Sequence, residues 1–162
     1  MSGKRYALLI ACDSFADSRY RSLVAPVSDA ASFKAVLESP EIGQFTAECL
    51  VNQNHSVITE RIVDFFDNRA PEDVLLLYFA GHGTLDDKRN FYFISNDTRS
   101  SKLNISAVSH RLVHETMVSS VSKKQILIID CCYSGAFARG LVPRNTDVTI
   151  SNTSSLEKDV WF

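Results

Sequence analysis

The chain reads as an α/β domain: a mostly parallel sheet covered by helices on both faces. Three observations carry this. Four apolar runs of strand length recur along the sequence, helical periods lie between them, and the two most apolar runs lack the alternation of a strand with a wet face.

The runs are "RYALLIA" (5–11), "TAECLV" (46–51), "DVLLLYFAG" (73–81) and "QILIID" (125–130). Between the first two, residues 26–39 place Val27, Ala30, Ala31 and Val36/Leu37 on one helical stripe, with Pro26 suited to the first turn. Residues 56–67 repeat the pattern with Val57, Ile58, Ile62, Phe65 and Phe66, and Ser56 is the expected N-cap. A third helix is expected over 106–121. The segment 84–98 breaks the alternation with a polar "DDKRN" turn and a short aromatic strand, expected as a hairpin at the sheet's edge. Residues 1–140 form the expected domain. The segment 141–162 is Ser/Thr/Asn-rich without a clear period and is expected as a polar loop or tail.

With 162 residues, 45% of them apolar and 22% charged, the chain suffices for one core. A net charge of −2 without a Lys/Arg block argues against nucleic acid and anionic membranes as partners. No apolar run approaches the roughly 18 residues that would cross a bilayer, and a cytoplasmic location is expected. Cys12, Cys49, Cys131 and Cys132 are expected as reduced thiols, the first two as core.

In open α/β sheets, functional groups gather beyond the carboxyl ends of the strands. Two strands here end unusually: one in Ala80-Gly81-His82-Gly83, the other in Asp130-Cys131-Cys132. A thiol attacks as its thiolate, which a neighbouring imidazole can generate and stabilise. Taken singly, a buried cysteine is core filler and a Gly-His-Gly a tight turn. Together, at the ends of two core strands, they suggest a Cys–His pair.

His82 precedes Cys132 by fifty residues, the separation seen in caspases. With "HG" and "DCCYSG" on these strands, the chain resembles the caspase-like cysteine peptidases of family C14 over about residues 5–140. It is most similar to the metacaspase and bacterial caspase-like branch, in which the nucleophile stands in D-x-C-x-S-G, here Asp130, Cys132, Ser134 and Gly135. The resemblance implies a caspase-like three-layer α/β/α sandwich. It also implies Cys132 rather than Cys131 as nucleophile, His82 as base oriented by a backbone carbonyl, and an oxyanion hole from the N–H groups of Gly83 and Cys132. Asp130, with Asp13 as a second pocket residue, implies a protein or peptide substrate cut after Arg or Lys, since a carboxylate binds a guanidinium in a bidentate pair. The setting implied is regulated proteolysis, as in stress, cell-death or bacterial defence signalling.

No cofactor is expected. The resemblance leaves room for calcium activation, but Asp86, Asp87 and Asp97 lack a calcium-loop pattern. His55, His110 and His114 show no ligand spacing with the cysteines, and His110 and His114, i and i+4 on one helical face, could hold a metal but lack a third ligand. Caspase-like domains continue into two further strands supplied by a small subunit, and nothing after Ser151 reads as those strands, so the final strands are expected to be missing. A small-subunit segment or a regulatory partner is therefore implied. Self-processing is expected within 139–158, foremost after Arg144, then Lys158, and less so after Arg139. Two other readings stay open. One is a catalytically weak caspase-like binding or regulatory module of a larger assembly; the other, a thiol switch of Cys131 and Cys132, leaves the Gly-His-Gly unexplained.

Overall fold

The computed structural model describes residues 3–131 and the backbone of 147–152. In chain order its elements are β1 (Arg5–Ala11), α1 (Pro26–Glu38), β2 (Thr46–Val51), α2 (His55–Phe66), β3 (Val74–Ala80), β4 (Gly83–Leu85) and β5 (Phe91–Phe93). A short α3 (Leu103–Ser106), β6 (Val108–Ser109), α4 (His110–Ser119), β7 (Lys124–Asp130) and β8 (Asp147–Asn152) follow.

Five strands form a parallel sheet in the order β2-β1-β3-β7-β8. The continuous apolar runs are explained by the two cores that they divide. Leu8, Ile10, Leu75, Leu77, Phe79, Leu127 and Ile129 meet Ile58, Ile62 and Phe66 of α2 and Val113 and Met117 of α4. On the opposite face Ala7, Leu9, Ala11, Leu76, Tyr78 and Ala80 meet Ala30 and Leu37 of α1. Each large side chain so buried contributes about 1.5–3 kcal/mol of transfer free energy. The expected three-layer architecture is thus observed.

Local details differ from the expectations. Ala31 and Val36 of α1 are exposed, and the stripe that faces the sheet runs through Pro26, Val27, Ala30, Phe33 and Leu37. The N-cap of α2 is Asn54, whose Oδ1 accepts from the Val57 N–H (3.0 Å), while the Ser56 hydroxyl donates to that oxygen (2.8 Å). The third helix begins only at His110, because the Ser109 hydroxyl caps it by accepting from the Leu112 N–H and residues 108–109 pair as β6. The hairpin β4–β5 forms, but it joins β6 in a separate three-stranded antiparallel sheet rather than edging the main one.

The segment expected as a polar loop or tail contains a strand. β8 lies parallel to β7, with Gln125 opposite Val148 and Leu127 opposite Ile150. Its β-branched alternation, Val148-Thr149-Ile150, was hidden by polar surroundings. One strand beyond β7 is therefore present. Cys132, Ser134, Gly135, Arg139, Arg144 and Lys158 lie outside the described residues.

Candidate active site

The carboxyl edge of the sheet carries the candidate site. Ala11, Ala80 and Asp130 stand in one row across β1, β3 and β7. Beyond that row the chain turns sharply at Gly81, whose φ of +152° few L-residues adopt, and a Cβ there would lie 2.9 Å from the Cys12 carbonyl oxygen. The Gly81 N–H donates to the Asp130 carbonyl (3.2 Å), tying the ends of β3 and β7 together.

His82 follows, half-buried between the rings of Phe15 (4.9 Å between centroids) and Tyr20 (5.9 Å). Its Nε2 lies 2.8 Å from the Arg21 carbonyl oxygen. A carbonyl only accepts, so Nε2 carries the proton, and in the neutral ring Nδ1 keeps its lone pair. Arg21 is held by its loop: the Leu23 N–H donates to the Asp13 carbonyl (2.9 Å) and the Ala16 N–H to the Asn96 carbonyl (2.8 Å). Asp17 accepts from the Ser100 hydroxyl (2.6 Å) and N–H (2.8 Å). Those Ser100 bonds, with the Arg19 N–H, hold the Asp17 carboxyl down at about 2.

Gly83 opens β4, an edge strand. The Ile94 N–H donates to the His82 carbonyl (3.0 Å), which brackets the Gly83–Phe93 pair in the manner of a non-hydrogen-bonded pair. The Gly83 N–H is consequently directed away from β5.

Asp13 and Asp130 flank the strand that leads to His82. Asp13 Oδ1 accepts from Asn52 Nδ2 (2.8 Å), and Asn52 Oδ1 accepts from the N–H groups of Asp13 and Ser14 (3.0 and 3.1 Å). Asp130 follows Ile126 and Ile128 in alternation on the α1 side. Tyr78 lies beside it, its phenol pushed up to about 12 by burial first, then by the carboxylates of Asp130 and Asp29 and a hydrogen bond to Asp130.

Cys131 takes the other alternation. It is 5% exposed, in the α2/α4 core with Leu127 and Ile129. Cys12 is fully buried, and burial, followed by the Asp13 charge, pushes its thiol up to about 12. Cys49 is half-buried rather than core. The structure therefore brings His82, Gly83, Asp13 and Asp130 to one edge, where Cys132 directly follows the last described residue of β7's end.

Among the described residues no group of three or more His, Cys, Asp or Glu side chains could hold a metal. Asp86 closes the hairpin turn by accepting from the N–H groups of Lys88 and Asn90 (2.9 and 2.8 Å). Asp97 accepts from the His55 N–H (2.7 Å) and faces its Nδ1 (3.0 Å). No described helix is long and apolar enough to cross a membrane. Sequence reasoning missed Arg21, Tyr20, Phe15 and Asn52, which make their contacts through a backbone carbonyl, ring packing or a side-chain amide across long separations.

A Gly-His-Gly turn after β3 and the Asp130 end of β7, on adjacent parallel strands of a three-layer sandwich, define a caspase-like sheet edge. The caspase domain model of peptidase family C14 matches residues 4–160, and the chain belongs to that family. Its fold is similar to that of caspase-1 from Spodoptera frugiperda (14% identity, TM-score 0.67, covering 99% of this chain and 62% of that one). It is also similar to pro-sf-caspase-1 (13%, 0.58, 82% and 52%) and to protein GSU0716 from Geobacter sulfurreducens (15%, 0.60, 79% and 49%). The chain thus spans between 49% and 62% of these structures. No curated protein matches.

Proposed function

We propose that this caspase domain is a cysteine endopeptidase of the metacaspase-like branch that cleaves after Arg or Lys, with Cys132 as nucleophile and His82 as base. The observation that carries the reading is the Nε2 contact of His82 with the Arg21 carbonyl, because it reserves Nδ1 for proton transfer. Cys132 stands two residues past Asp130, and His82 two past Ala80, its partner in register.

The Cys132 thiol gives its proton to His82 Nδ1, and the thiolate attacks the scissile carbonyl carbon. The resulting oxyanion is held by the N–H groups of Gly83 and Cys132, an interaction worth a few kcal/mol. As the C–N bond breaks, the imidazolium returns the proton to the leaving amine. A water deprotonated by His82 then cleaves the thioester, and the thiol is restored. Asp130 and Asp13, on the edge beside His82, bind the basic side chain before the scissile bond. The acidic residue two before the nucleophile supports this preference.

Fluorogenic peptides ending in Arg, Lys or Asp, assayed with and without calcium beside Cys132→Ala, test the proposal. Cleavage after Arg and Lys that Cys132→Ala abolishes is expected. No cleavage by the folded chain would favour the regulatory module, and preference for Asp would overturn the specificity.

A further inference from the structure

The small sheet has two unlike faces. Phe91, Phe93 and Val108 point into the α2/α4 core. The register places Thr84, Tyr92 and Ser109 in one row, which excludes them from that face. This polar row floors a cleft of about 910 Å³, walled by Tyr20, Ser100 and Leu103. Its size is that of sites which enclose a drug-sized ligand, or a few residues of extended peptide.

Two relationships connect the cleft to the reaction. Tyr20 forms both its wall and a face of the His82 ring cage, and Thr84 follows Gly83 directly. The cleft also lies on the opposite side of the main sheet from Asp130: the small sheet covers the α2/α4 core, whereas Asp130 alternates onto the α1 side. A peptide whose basic side chain sits by Asp130 and whose scissile bond meets His82 continues toward the cleft.

The charges lining the cleft are unequally engaged. Asp86 is surrounded by donors: the N–H groups of Lys88 and Asn90, Asn90 Nδ2 and the Tyr92 hydroxyl (2.8–3.4 Å). Lys88 and Arg111 are exposed at its edge and form no ion pair among the described residues, against the single exposed carboxylate of Asp87. Arg111 is near enough to the Tyr92 phenol for its charge to act there.

We infer that this cleft receives the leaving-group side of the peptide substrate, and that Lys88 and Arg111 favour an acidic side chain after the scissile bond. The inference rests on the peptidase function proposed above. Its test uses internally quenched peptides that share one sequence through the scissile Arg and carry Glu or Lys at each of the three following positions. A peptidyl-coumarin with the same Arg and no residue beyond it completes the set. For at least one position the chain should show a Glu-over-Lys preference in kcat/KM of about threefold, the size of an exposed charge interaction. Arg111→Glu together with Lys88→Glu should turn that ratio below one. Each ratio is taken within one variant, so a general loss of activity cancels. A ratio near one at all positions, or one that charge reversal leaves unchanged, overturns the subsite while coumarin cleavage leaves the peptidase standing. Failure to cleave the coumarin as well removes both.

Discussion

His82 Nε2 and the Arg21 carbonyl oxygen stand 2.8 Å apart, although sixty-one residues separate them. The bond fixes which ring nitrogen keeps its lone pair, and it depends on a loop fastened by backbone bonds and by the Asp17–Ser100 contact. The Asp17–Ser100 contact is one of its fastenings, so Asp17→Asn should lower kcat several-fold while leaving KM nearly constant.

The same contact predicts a pH dependence. The Asp17 carboxyl is held at about 2, below its ordinary value, so its stabilisation is fully present above pH about 4 and lost as pH falls toward 2. Thermal unfolding across acid pH should show the advantage over Asp17→Asn constant above pH about 4 and narrowing below it. A difference that stays flat into acid would contradict the assignment.

Gly81→Ala should destabilise the chain by about 1–3 kcal/mol and impair activity, because its φ of +152° and the nearby Cys12 carbonyl leave no room for a Cβ. Denaturant titration measures the first effect. Unchanged stability would mean that the turn is not strained.

Cys131 and Cys132 should separate cleanly. Cys131→Ala, in the α2/α4 core, should cost about 1 kcal/mol of stability and retain most peptidase activity. Cys132→Ala should abolish activity with little change in unfolding midpoint. The opposite pattern would exchange the two roles.

Much of the architecture was legible because a strand buried on both faces must be continuously apolar, as 74–80 is. The proposed pair of His82 and Cys132 stands out in the sequence as chemistry that no core requires. Other features carry almost no sequence signal. The Arg21 contact uses a backbone carbonyl, available at any residue, and only the folded loop selects it. The row of Thr84, Tyr92 and Ser109 needs a register between strands of two or three residues, too short for a period to show. Strand β8 failed to stand out because half its alternation is Thr and Ser.

Asp130→Asn should weaken cleavage after Arg at least about tenfold, since the basic side chain loses its paired carboxylate. It should also lower the Tyr78 phenol from about 12, because a neighbouring negative charge is removed while burial remains. Ultraviolet titration reads the second effect independently of activity. A Tyr78 titration that did not move would separate Asp130 from Tyr78, and unchanged cleavage after Arg would separate it from the pocket.

The most direct measurement is covalent labelling with a peptidyl acyloxymethyl ketone that ends in Arg, followed by peptide mass mapping. One adduct per chain, on Cys132, is predicted, lost in His82→Ala and suppressed when the reagent ends in Asp. Labelling of Cys131, or labelling indifferent to His82, would contradict the account.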